Sequence, residues 1–187
     1  MWKPLTLLTI TAALALAGPP AVCHRIDIGD AASLPWRNVN GWDGADPAYS
    51  VTNLSTDTLK LLSSTAPINV RMETLRRAAI YSARHAGLAV KLMNDLETKA
   101  KAAKSDPLAW FDAGYFIEAV RQTEFIYRYD MLDAPVRSAW VHRGEKLGPD
   151  GRPMIEKALA LGGKGMHHAL SLIDEYRNAD LKHHARR

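Results

Sequence analysis

The stretch DPLAWFDAGYFIEAVRQ, residues 106–122, decides the fold of this chain. It has helical spacing, with Pro107 placed for the first turn, yet apolar side chains surround it almost completely. A helix that is apolar on nearly all sides is normally buried between other helices. We therefore predict that this helix, which continues to about Asp130, is the central element of a helical stack.

Helical spacing continues on both sides of that stretch. Before it, apolar residues in steps of three and four predict a helix from Asn69, which would leave Arg76, Arg77 and Arg84 off the apolar face, and a second helix from about Leu88. After it, three segments with proline or glycine start signals predict further helices: DAPVRSAWVHRGEKLG, GRPMIEKALALGG and KGMHHALSLIDEYRNADL. No segment alternates with the period of two expected of a strand. The chain is therefore predicted to be all-α, with antiparallel helix pairs stacked as a short solenoid or bundle.

The N-terminus has the three-part form of a secretory signal peptide. Met1, Trp2 and Lys3 give a positive start, the run from Leu5 to Ala17 is uncharged and mainly apolar, and Gly-Pro-Pro and small residues follow. That run is shorter than the ~20 residues needed to cross a bilayer. We expect an exported protein, periplasmic or secreted, with no stable membrane span after signal cleavage.

Two cleavage positions fit the sequence, one after Ala17 and one near Cys23. Cys23 is the only cysteine, so a chain cut after it has no thiol chemistry, and no intrachain disulfide is available in either case. A lipidated Cys23 at the start of the mature chain is a further alternative. Pro20 and Val22 match the lipoprotein pattern poorly.

The chain divides into four parts. Residues 1–23 are the predicted signal peptide, 24–66 an irregular segment with a short helix near 56–63, 67–180 the helical-repeat domain, and 181–187 a basic tail. Pro, Gly, Asn and Asp recur in the irregular segment. Trp36 and Trp42 lie there too, and such bulk is unusual in a disordered tail. We expect part of this segment to lie against the domain.

Two helical stretches repeat with a spacing of about 35 residues. Leu75, Ala78, Ala79 and Ser82 precede Trp110, Ala113, Gly114 and Ile117 by that interval, and the paired small residues suit close helix crossings. AWFDAGYFIEA resembles the first helix of a tetratricopeptide repeat, with Trp110 and Gly114 in the tryptophan and glycine places. The second-helix signature is absent, so the resemblance covers about 50 residues. The chain also resembles a set of exported bacterial helical proteins of unknown function, which implies a localisation and a fold but no activity.

A polar stripe crosses the central helix and supplies the candidate site. Asp112, Tyr115, Glu118 and Gln122 step by three, three and four residues, and Arg121 lies beside them. Paired carboxylates in an apolar setting can perform acid–base chemistry, but buried acids are more often paired with arginines or helix ends. We predict that these residues border a binding groove. Tyr127 and Arg128 form a second candidate recognition edge, because Tyr and Arg are favoured in interfaces.

Other chemistries find little support. The adjacent pairs His167-His168 and His183-His184 lack metal-ligand spacing, and LGGKGMHH, residues 161–168, lacks most of a phosphate-binding loop. The net charge of +4 comes from interspersed charges and not from one basic face, which argues against nucleic acid. We predict no metal, no cofactor and no catalytic residue.

These observations predict a protein-binding or scaffolding module of the cell envelope, whose partner is another protein or a peptide. Two alternatives stay open. One is a small exported enzyme that uses Asp112 and Glu118. The other is a membrane-tethered envelope protein, held by Cys23 or by an uncut signal.

Overall fold

The computed structural model describes residues 19–37, 39, 41–129 and 150–184, with side chains described except within 124–129 and 179–184. The predicted signal sequence up to residue 18, the predicted helix within 133–148 and the last residues of the basic tail, 185–187, lie outside the described residues.

Seven α-helices and one short 3₁₀ turn form the described part of the chain, and the all-α prediction is confirmed. Their bounds are α1 Pro20–Cys23, the 3₁₀ turn Val51–Asn53, α2 Leu54–Leu61, α3 Ile68–Ser82, α4 Ala86–Ala102, α5 Pro107–Tyr129, α6 Arg152–Ala160 and α7 His167–His184. The extended pairing within the described ranges is a single antiparallel bridge between Trp36 and Ala45. None of these helices combines the length and the apolar character needed to cross a membrane.

Helix α5 is the central element, as the sequence predicts. It packs against α3, α4 and α6 and also touches α1 and α7. Every residue from 111 to 120 is buried. Asp106 caps the helix by accepting a 2.9 Å hydrogen bond from the Leu108 backbone N–H through Oδ1. The helix whose apolar surface predicted a central position is therefore buried by its neighbours.

Helix α3 is buried on all sides, which differs from the prediction of an outward-facing arginine side. All residues from 70 to 83 are buried, including Arg76 and Arg77. The start also differs: α3 begins at Ile68, one residue before the predicted start at Asn69, and Asn69 donates from Nδ2 to the Asp27 carbonyl oxygen at 2.9 Å. The physical reason is the segment 19–37, which covers the face of α3 that would otherwise meet solvent.

The irregular segment lies against the helices, as its tryptophans predicted. Trp36 and Trp42 are partly buried and pack against the core. Helix α2 lies at 54–61, two residues before the predicted position, and packs against α3 and α4. Upstream, the short helix α1 places Ala21 and Val22 in the core, with 1% and 0% of their surface exposed.

Candidate functional site

The predicted polar stripe lies inside the fold and does not border an open groove. Asp112, Tyr115, Glu118 and Gln122 have none of their surface exposed. Arg121 is half-buried, with Nε 3.9 Å from Glu118 Oε1. The expected groove geometry therefore needs correction, because these polar side chains turn towards other parts of the chain. A binding role for the stripe stays a prediction, and the side chains of Tyr127 and Arg128 lie outside the described residues.

Asp112 contacts helix α3. Its Oδ2 lies 2.6 Å from Arg71 Nη1, and neither side chain is more than 1% exposed. Burial raises the pKa of the Asp112 carboxyl to about 6, while the adjacent Arg71 charge opposes that rise. Its second oxygen, Oδ1, is buried and has no hydrogen-bond partner among the described residues.

Glu118 connects α5 to both C-terminal helices. Its Oε1 accepts a 2.8 Å hydrogen bond from the Gly151 backbone N–H, just before α6, and a 2.9 Å bond from Arg177 Nη2 on α7. Arg177 also pairs with Asp150. Burial alone would raise the pKa of Asp150, but hydrogen bonds from Arg177 and from the Arg152 backbone hold it below its usual range. Glu118 therefore fastens three elements together.

Gln122 faces the N-terminal side of the fold, and Tyr115 packs against another ring of α5. Gln122 Oε1 accepts a 2.8 Å hydrogen bond from the Ala21 backbone N–H on α1. The Tyr115 ring stacks on Phe111 at a centroid distance of 5.6 Å. Burial raises the pKa of the Tyr115 hydroxyl, so that group stays protonated at neutral pH. The stripe thus contacts α1, α3, α6 and α7 at successive positions, which is an arrangement that holds a fold together.

A second buried charge cluster, which the sequence analysis did not identify, lies on α3. Glu73 accepts hydrogen bonds from Arg76 Nε at 2.9 Å and from Arg77 Nε at 2.7 Å, and all three side chains are buried. The same carboxylate accepts the Ile26 backbone N–H at 3.0 Å. The signal in the sequence was the spacing of Glu73 from the two arginines, three and four residues, which is that of helical ion pairs.

The two arginines of that cluster also hold the N-terminal segment. Arg76 Nη1 donates to the Val22 carbonyl oxygen at 3.2 Å, and Arg77 Nη1 donates to the Leu34 carbonyl oxygen at 2.6 Å. The Trp36 ring lies against both guanidinium groups, with centroid distances of 4.8 Å to Arg76 and 5.6 Å to Arg77. Such contacts combine cation–π attraction with hydrogen bonding.

An open cavity of about 260 Å³ lies beside this cluster. Its lining combines three arginines, one aspartate and an aromatic ring with small and apolar groups: Arg25, Ile28, Gly29, Asp30, Ala31, Trp36, Arg37 and Arg77. Within the described residues, no group of three or more His, Cys, Asp or Glu side chains is arranged to hold a metal ion. The charged cavity is therefore a candidate ligand site within the described residues.

Comparison with protein-family models, with curated proteins and with solved structures finds no match to this chain. The tetratricopeptide-like resemblance accordingly stays a prediction.

Proposed function

We propose that this chain is exported and acts in the cell envelope or outside the cell as a non-catalytic binding or scaffolding module. The observation that carries the proposal is that both candidate catalytic acids form buried contacts between helices. Asp112 pairs with Arg71, and Glu118 binds Gly151 and Arg177. Groups engaged in this way hold helices together and present no surface to a substrate.

The enzyme alternative has one observation in its favour, the pKa of about 6 for Asp112, which suits general acid–base catalysis near neutral pH. Its geometry is unfavourable. Six residues of helical rise separate Asp112 from Glu118 by about 9 Å along α5. Their partners also lie on different helices, so the two acids do not converge on one point.

Thermal unfolding of the amide variants separates the two roles. We expect Asp112→Asn and Glu118→Gln to lower the melting temperature, because each removes a charge that a buried or half-buried arginine needs. Glu175→Gln on the exposed side of α7 is the matched control and should leave it unchanged. Two amide variants that melt like the parent protein would instead favour a functional role for the acids.

The packing of α1 supports signal cleavage after Ala17 and not after Cys23. Ala21 and Val22 are buried in the core, and their backbone groups bind Gln122 and Arg76. A cut after Cys23 would remove these contacts and expose the apolar surface that they cover. Lipidation of Cys23 at the first mature position requires the same removal, so the packing also counts against that form of tethering.

Two measurements test the export proposal. Residues 1–30, fused to a phosphatase reporter that is active only outside the cytoplasm, should give an active reporter in a bacterial host. Mass spectrometry of the mature protein should place its first residue at Gly18. An inactive reporter would contradict export, and a mature chain that starts at His24 or carries lipid on Cys23 would contradict the cleavage position.

A further inference from the structure

We propose that the cavity between the N-terminal segment and α3 binds a small anion that carries a carboxylate or phosphate group. The inference rests on the proposed binding role and names its ligand class. The cavity volume of about 260 Å³ lies just below the ~300 Å³ at which pockets for drug-sized ligands begin, so a small molecule fits it.

The charge of the lining favours an anion. Arg25, Arg37 and Arg77 contribute three guanidinium groups, against the single carboxylate of Asp30. Behind the wall, Arg76 and Glu73 add one charge of each sign, so the excess of positive charge in the lining remains. A partly enclosed site with excess positive charge attracts carboxylates and phosphates, and guanidinium groups match the geometry of both.

Arg77 is held in the wall before any ligand arrives. Only 8% of its side chain is exposed, with Nε on Glu73 Oε1 and Nη1 on the Leu34 carbonyl oxygen. Its remaining nitrogen, Nη2, takes part in neither contact. A fixed guanidinium loses little conformational entropy on binding, so it contributes more affinity than a free surface arginine.

The Trp36 ring forms a fixed part of the cavity wall. The ring lies edge-to-face against Tyr81 at a centroid distance of 6.1 Å, with Arg76 above it at 4.8 Å. Gly44 allows the ring to lie this close to the chain, since a Cβ there would be 2.1 Å from Trp36 Nε1. The ring is therefore held in place without a ligand, and the accessible lining of the cavity is mainly polar.

Isothermal titration calorimetry on the purified mature chain tests the site with benzoate, inorganic phosphate and the neutral analogue benzamide. We expect saturable binding of benzoate or phosphate and none of benzamide. Preference for benzoate would assign the site to carboxylates, and preference for phosphate would assign it to phosphoryl compounds. The absence of saturable binding of both anions would overturn the proposal, as would equal binding of benzamide.

Variants at exposed positions locate the binding. Arg37→Gln should weaken anion binding about tenfold or more, as expected for the loss of one charge-assisted hydrogen bond. Asp30→Asn should strengthen it, because it removes the opposing carboxylate. Arg84→Gln, an exposed arginine outside the cavity, changes the net charge equally and should have no effect. Equal weakening by Arg37→Gln and Arg84→Gln would overturn the site.

The measurement does not depend on localisation. The absence of anion binding would therefore leave the export proposal to its own tests.

Discussion

Arg71 and Asp112 form a buried ion pair that joins α3 to α5, with 2.6 Å between Nη1 and Oδ2. The same guanidinium donates from Nε to the Ala66 carbonyl oxygen at 3.1 Å and from Nη2 to the Ser63 carbonyl oxygen. One side chain therefore fastens the α2–α3 connection to the central helix. Because both charges are out of contact with water, each depends on the other for compensation.

Removal of one partner should be strongly destabilising. Asp112→Ala leaves the Arg71 charge buried without its carboxylate, and we expect the free energy of unfolding to fall by about 3–5 kcal/mol at pH 7. Urea denaturation monitored by circular dichroism measures this change. Lys101→Ala is the control, because Lys101 pairs with Glu97 on α4 and 64% of its side chain is exposed. That loss should stay below ~1 kcal/mol, and similar losses in both variants would contradict a special role for the buried pair.

The pH dependence of stability should carry the signature of Asp112. Burial raises its pKa in the folded state to about 6, above the ~3.9 of an unfolded chain. Between pH 4 and 6 the folded protein therefore binds more protons than the unfolded chain, so the contribution of this group to stability falls as pH rises. Relative to Asp112→Asn, which does not titrate, the free energy of unfolding of the parent protein should fall by about 2 kcal/mol from pH 4 to pH 7.

Comparison with Asp112→Asn removes the contribution of other acids. Hydrogen bonds from Lys91 and Ser55 hold the pKa of Asp95 below its usual range. The contribution of Asp95 to the free energy of unfolding therefore falls at low pH, equally in the parent protein and in the variant. If the attraction of Arg71 outweighed the effect of burial, the difference between parent and variant would rise with pH instead. Unfolding curves at pH 4, 5, 6 and 7 distinguish the two signs.

The fold could be predicted from the sequence further than the site could. An apolar surface all round 106–122 was sufficient to identify α5 as the central helix, because only burial explains it. The same reasoning placed Arg76 and Arg77 outside, since arginine is seldom fully buried unless paired. What reverses that expectation is a long-range contact: the segment 19–37 covers α3, and Glu73 supplies the compensating charge.

The polar stripe shows the same limit. Its spacing correctly placed Asp112, Glu118 and Gln122 on one helix, but spacing cannot reveal which elements they face. The partners Arg71, Arg177 and Ala21 lie 41, 59 and 101 residues away along the chain. The cavity depends even more on tertiary structure, because its lining combines loop residues between 25 and 37 with one helical arginine, Arg77.

Glu73 should stabilise the attachment of the N-terminal segment about as strongly as Asp112 stabilises the packing of α3 on α5. Glu73→Gln leaves Arg76 and Arg77 buried with no carboxylate and weakens the contact with Ile26. We expect a loss of about 3–5 kcal/mol of unfolding free energy and faster proteolysis within residues 24–50. Urea unfolding and limited trypsin digestion measure the two effects.

The control for that variant is Glu156→Gln on α6. Glu156 pairs with Arg152 at 3.4 Å, and 49% of its side chain is exposed, so its loss should change stability by less than ~1 kcal/mol and leave the digestion pattern intact. Digestion of residues 24–50 at the parental rate in Glu73→Gln would show that the carboxylate does not hold the segment.

The crossing of α5 and α6 should tolerate no side chain at Gly114. A Cβ added there would lie 2.5 Å from the Gly151 carbonyl oxygen, 2.8 Å from Ile155 Cγ1 and 3.0 Å from Met154 Cβ, so the helices must move apart. We expect Gly114→Ala to lower the free energy of unfolding by about 1–3 kcal/mol, the usual effect of overpacking.

Gly87→Ala on α4 is the matched control, because its Cβ would meet nothing within 4 Å. That variant should gain about 0.4–1 kcal/mol through the lower entropy of its unfolded chain. The same urea titration measures both changes, which should have opposite signs, and stabilisation by Gly114→Ala would contradict the close crossing.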